Sequence, residues 1–288
     1  MNLFQAAFLG AVEGLTEFLP VSSTGHLILA AHAMGLVGGE MDAFEIVIQA
    51  GALLAVLWLY RDRVGSLFTG LAQPDSKGRA LLMKMIVAFL PAAAIGFLTH
   101  KWIKAHLFGP RPVAIALIAG GLLILFVARW MRARERTPGA KATFGLDDLP
   151  ISAAFLIGLA QCFSLWPGTS RAMATILAAL VLGATPVAAA EFSFLLALPT
   201  LGAATLFDLL KHHEELTGPA IGGPGPLLVG LAVSAIVAVI AIRGFLRYVT
   251  RRGLEPFGWY RIALGVVVIA FLWHHGGAAM HGQPPAAP

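Results

Sequence analysis

Hydrophobic residues fill long stretches of this chain, and polar residues gather in short segments between them. A helix needs about 20 mostly apolar residues to cross the hydrocarbon core of a bilayer. Six stretches approach that length, at residues 43–60, 80–99, 112–128, 186–210, 226–242 and 262–273. The pattern therefore predicts six full transmembrane helices.

Two further apolar segments, residues 3–35 and 151–183, are too long for one crossing and are interrupted near their middle. The first is broken by the polar run from Pro20 to Gly25, and the second by the run from Pro167 to Ser170. We predict that each segment is a re-entrant helix–loop–helix hairpin, which enters the membrane and turns back on the same side.

The composition agrees with a membrane protein and excludes other classes. Of 288 residues, 58% are hydrophobic and 12% are charged, whereas an ordinary soluble domain is about 25% charged. The net charge of +5 does not indicate nucleic-acid binding, because Lys and Arg lie in short segments between spans rather than on one basic face. The one cysteine, Cys162, excludes an intrachain disulfide and a multi-cysteine metal cluster.

The Lys and Arg residues alternate between the two sides of the predicted spans. Fifteen fall on one side and four on the other, with only Arg171 left over. The fifteen belong to the segments 61–84, 129–141 and 243–261. Because Lys and Arg favour the cytoplasmic side, both termini are predicted to face the periplasm, and the first hairpin is predicted to open there.

The chain divides into two halves that each contain one hairpin followed by three spans. Repeat 1 covers about residues 1–136 and repeat 2 about 147–275, with a polar linker at 137–146 and a disordered tail at 276–288. Because three is odd, the second copy must be inverted. The predicted fold is an all-α polytopic membrane protein with an inverted-topology repeat. Irregular backbone at membrane depth must line a cavity or be buried in protein, so the two breaks should face each other across the site.

The first break holds a pair of acidic residues. Glu13 and Glu17 are four residues apart and share one face of a helix. Each carboxylate costs roughly 2.5–3.5 kcal/mol inside a membrane helix, which favours a functional or paired role. A divalent cation, Mg²⁺ or Ca²⁺, held by Glu13 and Glu17 would offset that cost and bridge to phosphate oxygens.

Hydroxyl groups and a histidine follow the same break. Ser22, Ser23 and Thr24 can cap the next half-helix, whose free N–H groups form an anion site. His26 lies within the first turn of that half-helix. A hydroxyl, an imidazole and a carboxylate in one small space can supply a nucleophile, a base and an orienting group.

The second break repeats the hydroxyls and adds a cation. Thr169 and Ser170 can cap the following half-helix, and Arg171 can bind phosphate through its planar fork. The alternative is a structural ion pair between Arg171 and Glu17. Gln49 lies inside a predicted span, where its amide needs a polar partner or the substrate.

At these residues the chain resembles the bacitracin-resistance (BacA) type of undecaprenyl-diphosphate phosphatase. The matching motifs are residues 13–26, 49–56, 167–171 and 191–197, and the likeness covers nearly the whole chain. The resemblance implies cation-dependent hydrolysis of undecaprenyl diphosphate to undecaprenyl phosphate and phosphate. It also implies a place in the bacterial inner membrane, recycling of the lipid carrier of cell-wall synthesis, and bacitracin resistance.

The family's functional positions carry over residue by residue. They correspond here to Glu13, Glu17, Ser23, His26, Ser170, Arg171 and Thr175. The chain departs from the family pattern at Ala172 and Met173, where Ser-Gly is usual. The nucleophile stays open between Ser23 with His26 as base, His26 itself, and metal-activated water.

The rival interpretation is an inverted-repeat transporter, or a flippase for a lipid phosphate, because such proteins also use broken helices at the membrane centre. The combined Glu, Ser and His set favours the hydrolase, since binding alone needs no nucleophile and base. The expected partners are a polyprenyl diphosphate and membrane lipid, with no nucleic acid. A homo-oligomer is compatible with the sequence, which does not decide the oligomeric state.

Overall fold

The computed structural model describes residues 1–36, 39–73, 76–135, 144–211 and 223–274, and these residues are helical almost throughout. They form eleven α-helices: α1 Leu3–Thr16, α2 Ser23–Ala33, α3 Gly39–Leu59, α4 Arg61–Ala72, α5 Lys77–His106, α6 Pro110–Glu135, α7 Ile151–Gln161, α8 Arg171–Leu182, α9 Pro186–Lys211, α10 Pro224–Arg252 and α11 Glu255–His274. The predicted tail at 276–288 and most of the predicted linker at 137–146 lie outside the described residues.

Five of these helices, α5, α6, α9, α10 and α11, are long and apolar enough to cross a membrane. The pair α3 and α4 qualifies as a sixth span only when taken together, and the two are bent by 78° at their junction. The prediction of an all-α protein with multiple spans is therefore confirmed.

The sequence did not predict helix α4, because it assigns residues 61–72 to a polar segment between two spans. The helix carries Arg61, Asp62 and Arg63 in its first turn, so its hydropathy is too low to indicate a membrane segment. It packs against α5 and buries Leu67. Tertiary contact with α5, rather than local hydropathy, accounts for this helix.

The two interrupted apolar segments each form a pair of short helices. Residues 3–35 form α1 and α2, which contact each other. Residues 151–183 form α7, a 3₁₀ turn at Cys162–Leu165 and α8, and α7 contacts α8. The breaks thus fall where the sequence places them, while re-entry into the membrane stays a prediction.

Glycines allow each hairpin to lie against a helix from the other half. Gly10 and Gly14 of α1 face the backbone of α10 at Gly230 and Ser234, where no Cβ would fit. Gly158 of α7 faces α5 in the same way. Small residues permit this close approach between helices in a membrane. Each hairpin is therefore positioned by the opposite half of the chain.

Candidate active site

Both breaks end in a serine with the same unusual backbone. Ser22 has a φ of 72° and Ser170 a φ of 73°, and no other non-glycine residue in the described part of the chain has a positive φ. Each serine caps the next helix, its Oγ accepting from the N–H of Gly25 in one case and of Met173 in the other. Strained backbone of this kind clusters at functional sites. The two turns leave the first N–H groups of α2 and α8 available to an anion.

A chain of polar contacts joins the two breaks through Glu17. Ser23 Oγ–H donates to Glu17 Oε2 over 2.6 Å. Arg171 Nη2 donates to the other oxygen, Oε1, over 3.4 Å, and both partners of this ion pair are buried. One carboxylate thus receives a hydroxyl from the first break and a guanidinium from the second.

The carboxylates outnumber the cations around this contact. Glu13 is 2% exposed, and both Glu13 and Glu17 interact electrostatically with Arg171. Two carboxylates therefore share one guanidinium. An added cation would reduce this excess of negative charge.

A metal at this position would depend on few protein ligands. Among the described residues, no group of three or more His, Cys, Asp or Glu side chains is arranged to hold a metal ion. Mg²⁺ is commonly bound by one or two carboxylates together with substrate phosphates and water. The pair Glu13 and Glu17 fits that mode of binding, and it does not fit a site made of protein ligands alone.

Arg171 is held at one edge of its guanidinium and free at another. Its Nη1 donates to the backbone oxygen of Ser193 over 2.8 Å and lies 3.4 Å from the Ser193 hydroxyl. Thr175 supports this arrangement, because its Oγ1 lies 2.7 Å from the same hydroxyl. Arg171 is 8% exposed, and its Nε has no partner among the described residues. The guanidinium is therefore fixed, and its buried Nε keeps a donor that the described residues do not use.

His26 is held by partners other than Ser23. Its Nδ1 lies 2.7 Å from the backbone oxygen of Ser22, and its Nε2 lies 2.6 Å from the hydroxyl of Tyr260. The hydroxyl of Ser23 points instead to Glu17. The group in position to take a proton from Ser23 is the Glu17 carboxylate.

A second buried arginine connects both breaks, and its location corrects the charge count above. Arg261 was assigned to a cytoplasmic segment, but its side chain is 0% exposed and lies inside the protein. It donates to the backbone oxygens of Pro20 at 3.3 Å and Gly168 at 2.9 Å, one from each break. It also donates to Ala116 and Leu117 of α6. Arg261 thus ties the two irregular segments together through carbonyl groups.

Replacing Arg261 by methionine is expected to lower the free energy of unfolding by on the order of 3 kcal/mol, because several buried carbonyls would lose a charged donor. Activity should fall together with stability. Thermal unfolding of the detergent-purified protein measures the change, with the exposed Arg252→Met as the matched control. An unfolding temperature equal to that of the parent would show that Arg261 does not hold the breaks.

Thr24, Thr169 and Gln49 are the remaining predicted positions. Thr24 and Thr169 are half-buried beside the two caps. Gln49 accepts a hydrogen bond from Thr205 of α9 over 3.1 Å, so its amide already has a protein partner. None of these three contacts Glu17, Ser23 or Arg171 in the hydrogen bonds described. Their binding of substrate stays a prediction.

The departure from the family pattern falls in the protein interior. Ala172 and Met173 are both buried. A Cβ added to Gly120 of α6 would meet both the Arg261 guanidinium and the sulfur of Met173. The bulkier methionine therefore packs beside Arg261, and the absence of side-chain bulk at Gly120 accommodates it.

Sequence reasoning missed Tyr260, Ser193 and Gln161. Gln161 is buried, and neither end of its amide has a partner among the described residues. A short repeat could have indicated it, because Ala-Ala-Phe-Leu occurs at 6–9 and again at 153–156. A gap of one residue after this repeat aligns Gly10 with Gly158 and then pairs Glu13 with Gln161. Ser193 lies within the motif 191–197, where its hydroxyl inside an apolar run was the available signal.

Comparison with known proteins gives consistent results over nearly the full chain. The family model described as "Bacitracin resistance protein BacA" matches residues 6–267. A protein of Sorangium cellulosum named undecaprenyl-diphosphatase is 53% identical, over 93% of this chain and 86% of its own length. Undecaprenyl-diphosphatase 1 of Chromobacterium violaceum is 46% identical, over 94% of this chain and 97% of its own. Undecaprenyl-diphosphatase 2 of Rhodospirillum rubrum is 47% identical, over 94% and 95%.

Proposed function

The chain belongs to the family of the bacitracin resistance protein BacA and is an undecaprenyl-diphosphatase, and we propose that its reaction takes place where the two breaks meet. The reaction converts undecaprenyl diphosphate to undecaprenyl phosphate and inorganic phosphate, which recycles the lipid carrier of the cell wall. The observation that carries the proposed location is the contact of Glu17 with Ser23 on one side and Arg171 on the other.

The diphosphate would bind between the two capped half-helices. The N–H groups at the starts of α2 and α8 offer donors and positive dipole ends. Arg171 adds a fixed positive charge with a donor at Nε that has no partner in the described part of the chain. Ser22, Thr24, Thr169 and Ser170 border the same two helix starts. The polyprenyl tail would leave sideways between the apolar spans.

Ser23 is the proposed nucleophile, with Glu17 as its base. Proton transfer from Ser23 to Glu17 would allow Oγ to attack the terminal phosphorus. The bond from that phosphorus to the bridging oxygen then breaks, and undecaprenyl phosphate leaves. Water would then attack the phosphorus of the phosphoserine, the bond to Ser23 Oγ would break, and the proton on Glu17 would return to that oxygen as inorganic phosphate leaves. The hydrogen bond of 2.6 Å between Ser23 and Glu17 supports this order of events.

Arg171 would stabilise the charge that moves to the phosphate oxygens during both steps. Phosphoryl transfer depends mainly on positioning and on neutralising this charge. His26 borders the same site and would take part in proton exchange with the phosphate or with water. Glu13 and Glu17 would hold a divalent cation, Mg²⁺ or Ca²⁺, which when bound would neutralise further charge on the diphosphate.

The proposed architecture is six spans and two re-entrant hairpins in an inverted repeat. Contacts between the two halves support this architecture. Helix α1 of the first half packs on α10 of the second, and α7 of the second half packs on α5 of the first. The protein is a multi-pass membrane protein of bacteria, and we place both termini and the site opening on the periplasmic side of the inner membrane. When Arg261 is left out of the count, fourteen Lys and Arg residues lie in the segments assigned to the cytoplasm and four lie in those assigned to the other side.

Polar contacts among the segments assigned to the cytoplasm support their placement on one common side of the membrane. Arg63 of α4 pairs with Asp147, which follows the linker. Lys84 of α5 donates to the backbone oxygen of the same Asp147. Arg132 at the end of α6 pairs with Glu255 at the start of α11. Segments predicted to share one side of the membrane are thus in contact.

One experiment in detergent separates the hydrolase from the rival carrier. Purified protein is expected to release inorganic phosphate from undecaprenyl diphosphate without any membrane gradient, because hydrolysis needs none. Release should stop on chelation of divalent cations and return on adding Mg²⁺ or Ca²⁺. Flux in vesicles without phosphate release would support the carrier. Full turnover after complete chelation would contradict the proposed cation.

A further inference from the structure

Tyr260 of α11 is the partner that brings His26 into contact with the far end of the chain. The two rings are nearly parallel, with an angle of 7° and centroids 5.6 Å apart. The phenol oxygen lies 2.6 Å from Nε2 of His26. The residues are 234 positions apart in the sequence, so only the fold brings them together.

The other partner of His26 decides which nitrogen carries the hydrogen. Nδ1 lies 2.7 Å from the backbone oxygen of Ser22, and a carbonyl oxygen can only accept. Nδ1 must therefore carry the hydrogen. In the neutral imidazole Nε2 is then the acceptor, and the hydroxyl of Tyr260 donates to it.

The residue that follows Tyr260 in the sequence is anchored in the protein interior. Arg261 is buried and bound to backbone oxygens of both breaks and of α6. Tyr260 is 47% exposed, so burial of its own ring contributes less to its placement. The anchored backbone at Arg261 holds the phenol at His26 even though the ring is only half covered.

We infer that Tyr260 is a positioning residue for the reaction, which holds the His26 imidazole in its Nδ1–H form and fixes the orientation of the ring beside the site. The inference rests on the proposed function, because it assumes that His26 takes part in the reaction. Tyr260 acts through the histidine. The hydrogen bond sets the orientation and the tautomer of the imidazole.

Side chains from neighbouring helices lie around His26. From α11, Arg261 donates to carbonyl oxygens of both breaks and of α6. From α6, the side chains of Val113 and Leu117 approach the turn at Gly25 and are apolar. On the side of α1, the carboxylate of Glu17 is engaged by Ser23 and Arg171. The Tyr260 hydroxyl favours the neutral imidazole, because it donates to the lone pair that Nε2 has only in the neutral ring.

Tyr260→Phe tests the role, because it keeps the stacked ring and removes only the hydroxyl. Because one hydrogen bond is lost, kcat is expected to fall roughly 3- to 10-fold while KM changes less than about twofold. The acidic limb of the kcat–pH profile should move up by about 0.5–1 pH unit, since Nε2 would then be protonated more easily. A purely structural role would reduce the amount of folded protein without moving that limb.

Tyr248→Phe is the matched control. Tyr248 lies on α10 and contacts the ring of Phe257, so removing its hydroxyl should leave kcat and the pH profile unchanged. A Tyr260→Phe variant with the parent kcat and the parent pH profile would overturn the inference. Equal effects of the two Phe substitutions would overturn it as well.

His26→Ala separates this inference from the proposed function. In that background Tyr260→Phe should cause no further loss, because the phenol has no imidazole to position. Parent-like turnover of His26→Ala would overturn both the role of His26 and that of Tyr260. A defective His26→Ala together with a parent-like Tyr260→Phe would overturn the role of Tyr260 alone. If the parent protein releases no phosphate, the proposed function itself fails.

Discussion

Arg171→Lys is expected to lower kcat/KM for undecaprenyl diphosphate by about a thousandfold or more while the protein stays folded. An arginine that neutralises charge in phosphoryl transfer contributes on the order of 10³–10⁵ in rate. Lysine keeps the positive charge but loses the planar fork. It could still face Glu17 or Ser193, but it could not bind both of them and the phosphate at once.

Arg171→Lys separates an effect on activity from an effect on folding better than Arg171→Ala does. Removing the charge would leave Glu17 buried without its cation, which costs about 3–5 kcal/mol for a buried pair. Lost activity would then be hard to separate from lost folding. Phosphate release and thermal unfolding should be measured together, with the exposed Arg247→Lys as control. Arg171→Lys activity within tenfold of the parent would favour the structural ion pair with Glu17.

Ser23→Ala is expected to reduce phosphate release by at least about a thousandfold, because it removes the proposed nucleophile. The substitution also frees one oxygen of Glu17, which remains paired with Arg171. Stability should therefore change little. With substrate labelled on the terminal phosphate, acid quenching of the parent should trap label on the protein, and the Ala variant should trap none.

Ser22→Ala provides a neighbouring control. Among the described residues, Ser22 Oγ accepts from the N–H of Gly25 alone, over 3.4 Å. Its loss therefore removes a cap and should lower stability by about 0.5–2 kcal/mol with little effect on the reaction. Ser23→Ala with turnover close to the parent would exclude serine attack. Label trapped on His26 would instead identify the imidazole as the nucleophile.

The sequence predicted the two breaks well because each depends on local information. Proline and the small polar residues around Ser22 and Ser170 end one helix and begin the next, and an apolar length sets where a span can lie. Helix α4 shows the limit of this approach. Its residues are too polar to stand out by hydropathy, and its packing against α5 involves residues from a different segment.

The arginines show the same limit inside the site. Arg171 was recognised because it stands alone in an apolar break. Arg261 was counted as a loop charge, since it directly precedes the apolar run 262–273 and lies close to four other basic residues. Its burial depends on carbonyl groups up to 241 positions away. No periodicity or spacing along the chain carries that information.

By itself, the sequence determined that this is a polytopic helical membrane protein of the BacA family, with acidic, hydroxyl and basic groups at two breaks. Hydropathy and helix capping act over a few neighbouring residues, so they can be read along the chain. Only the tertiary structure decided that Ser23 faces Glu17, that Tyr260 holds His26, and that Arg261 joins the breaks. These contacts depend on how side chains from distant helices meet in three dimensions.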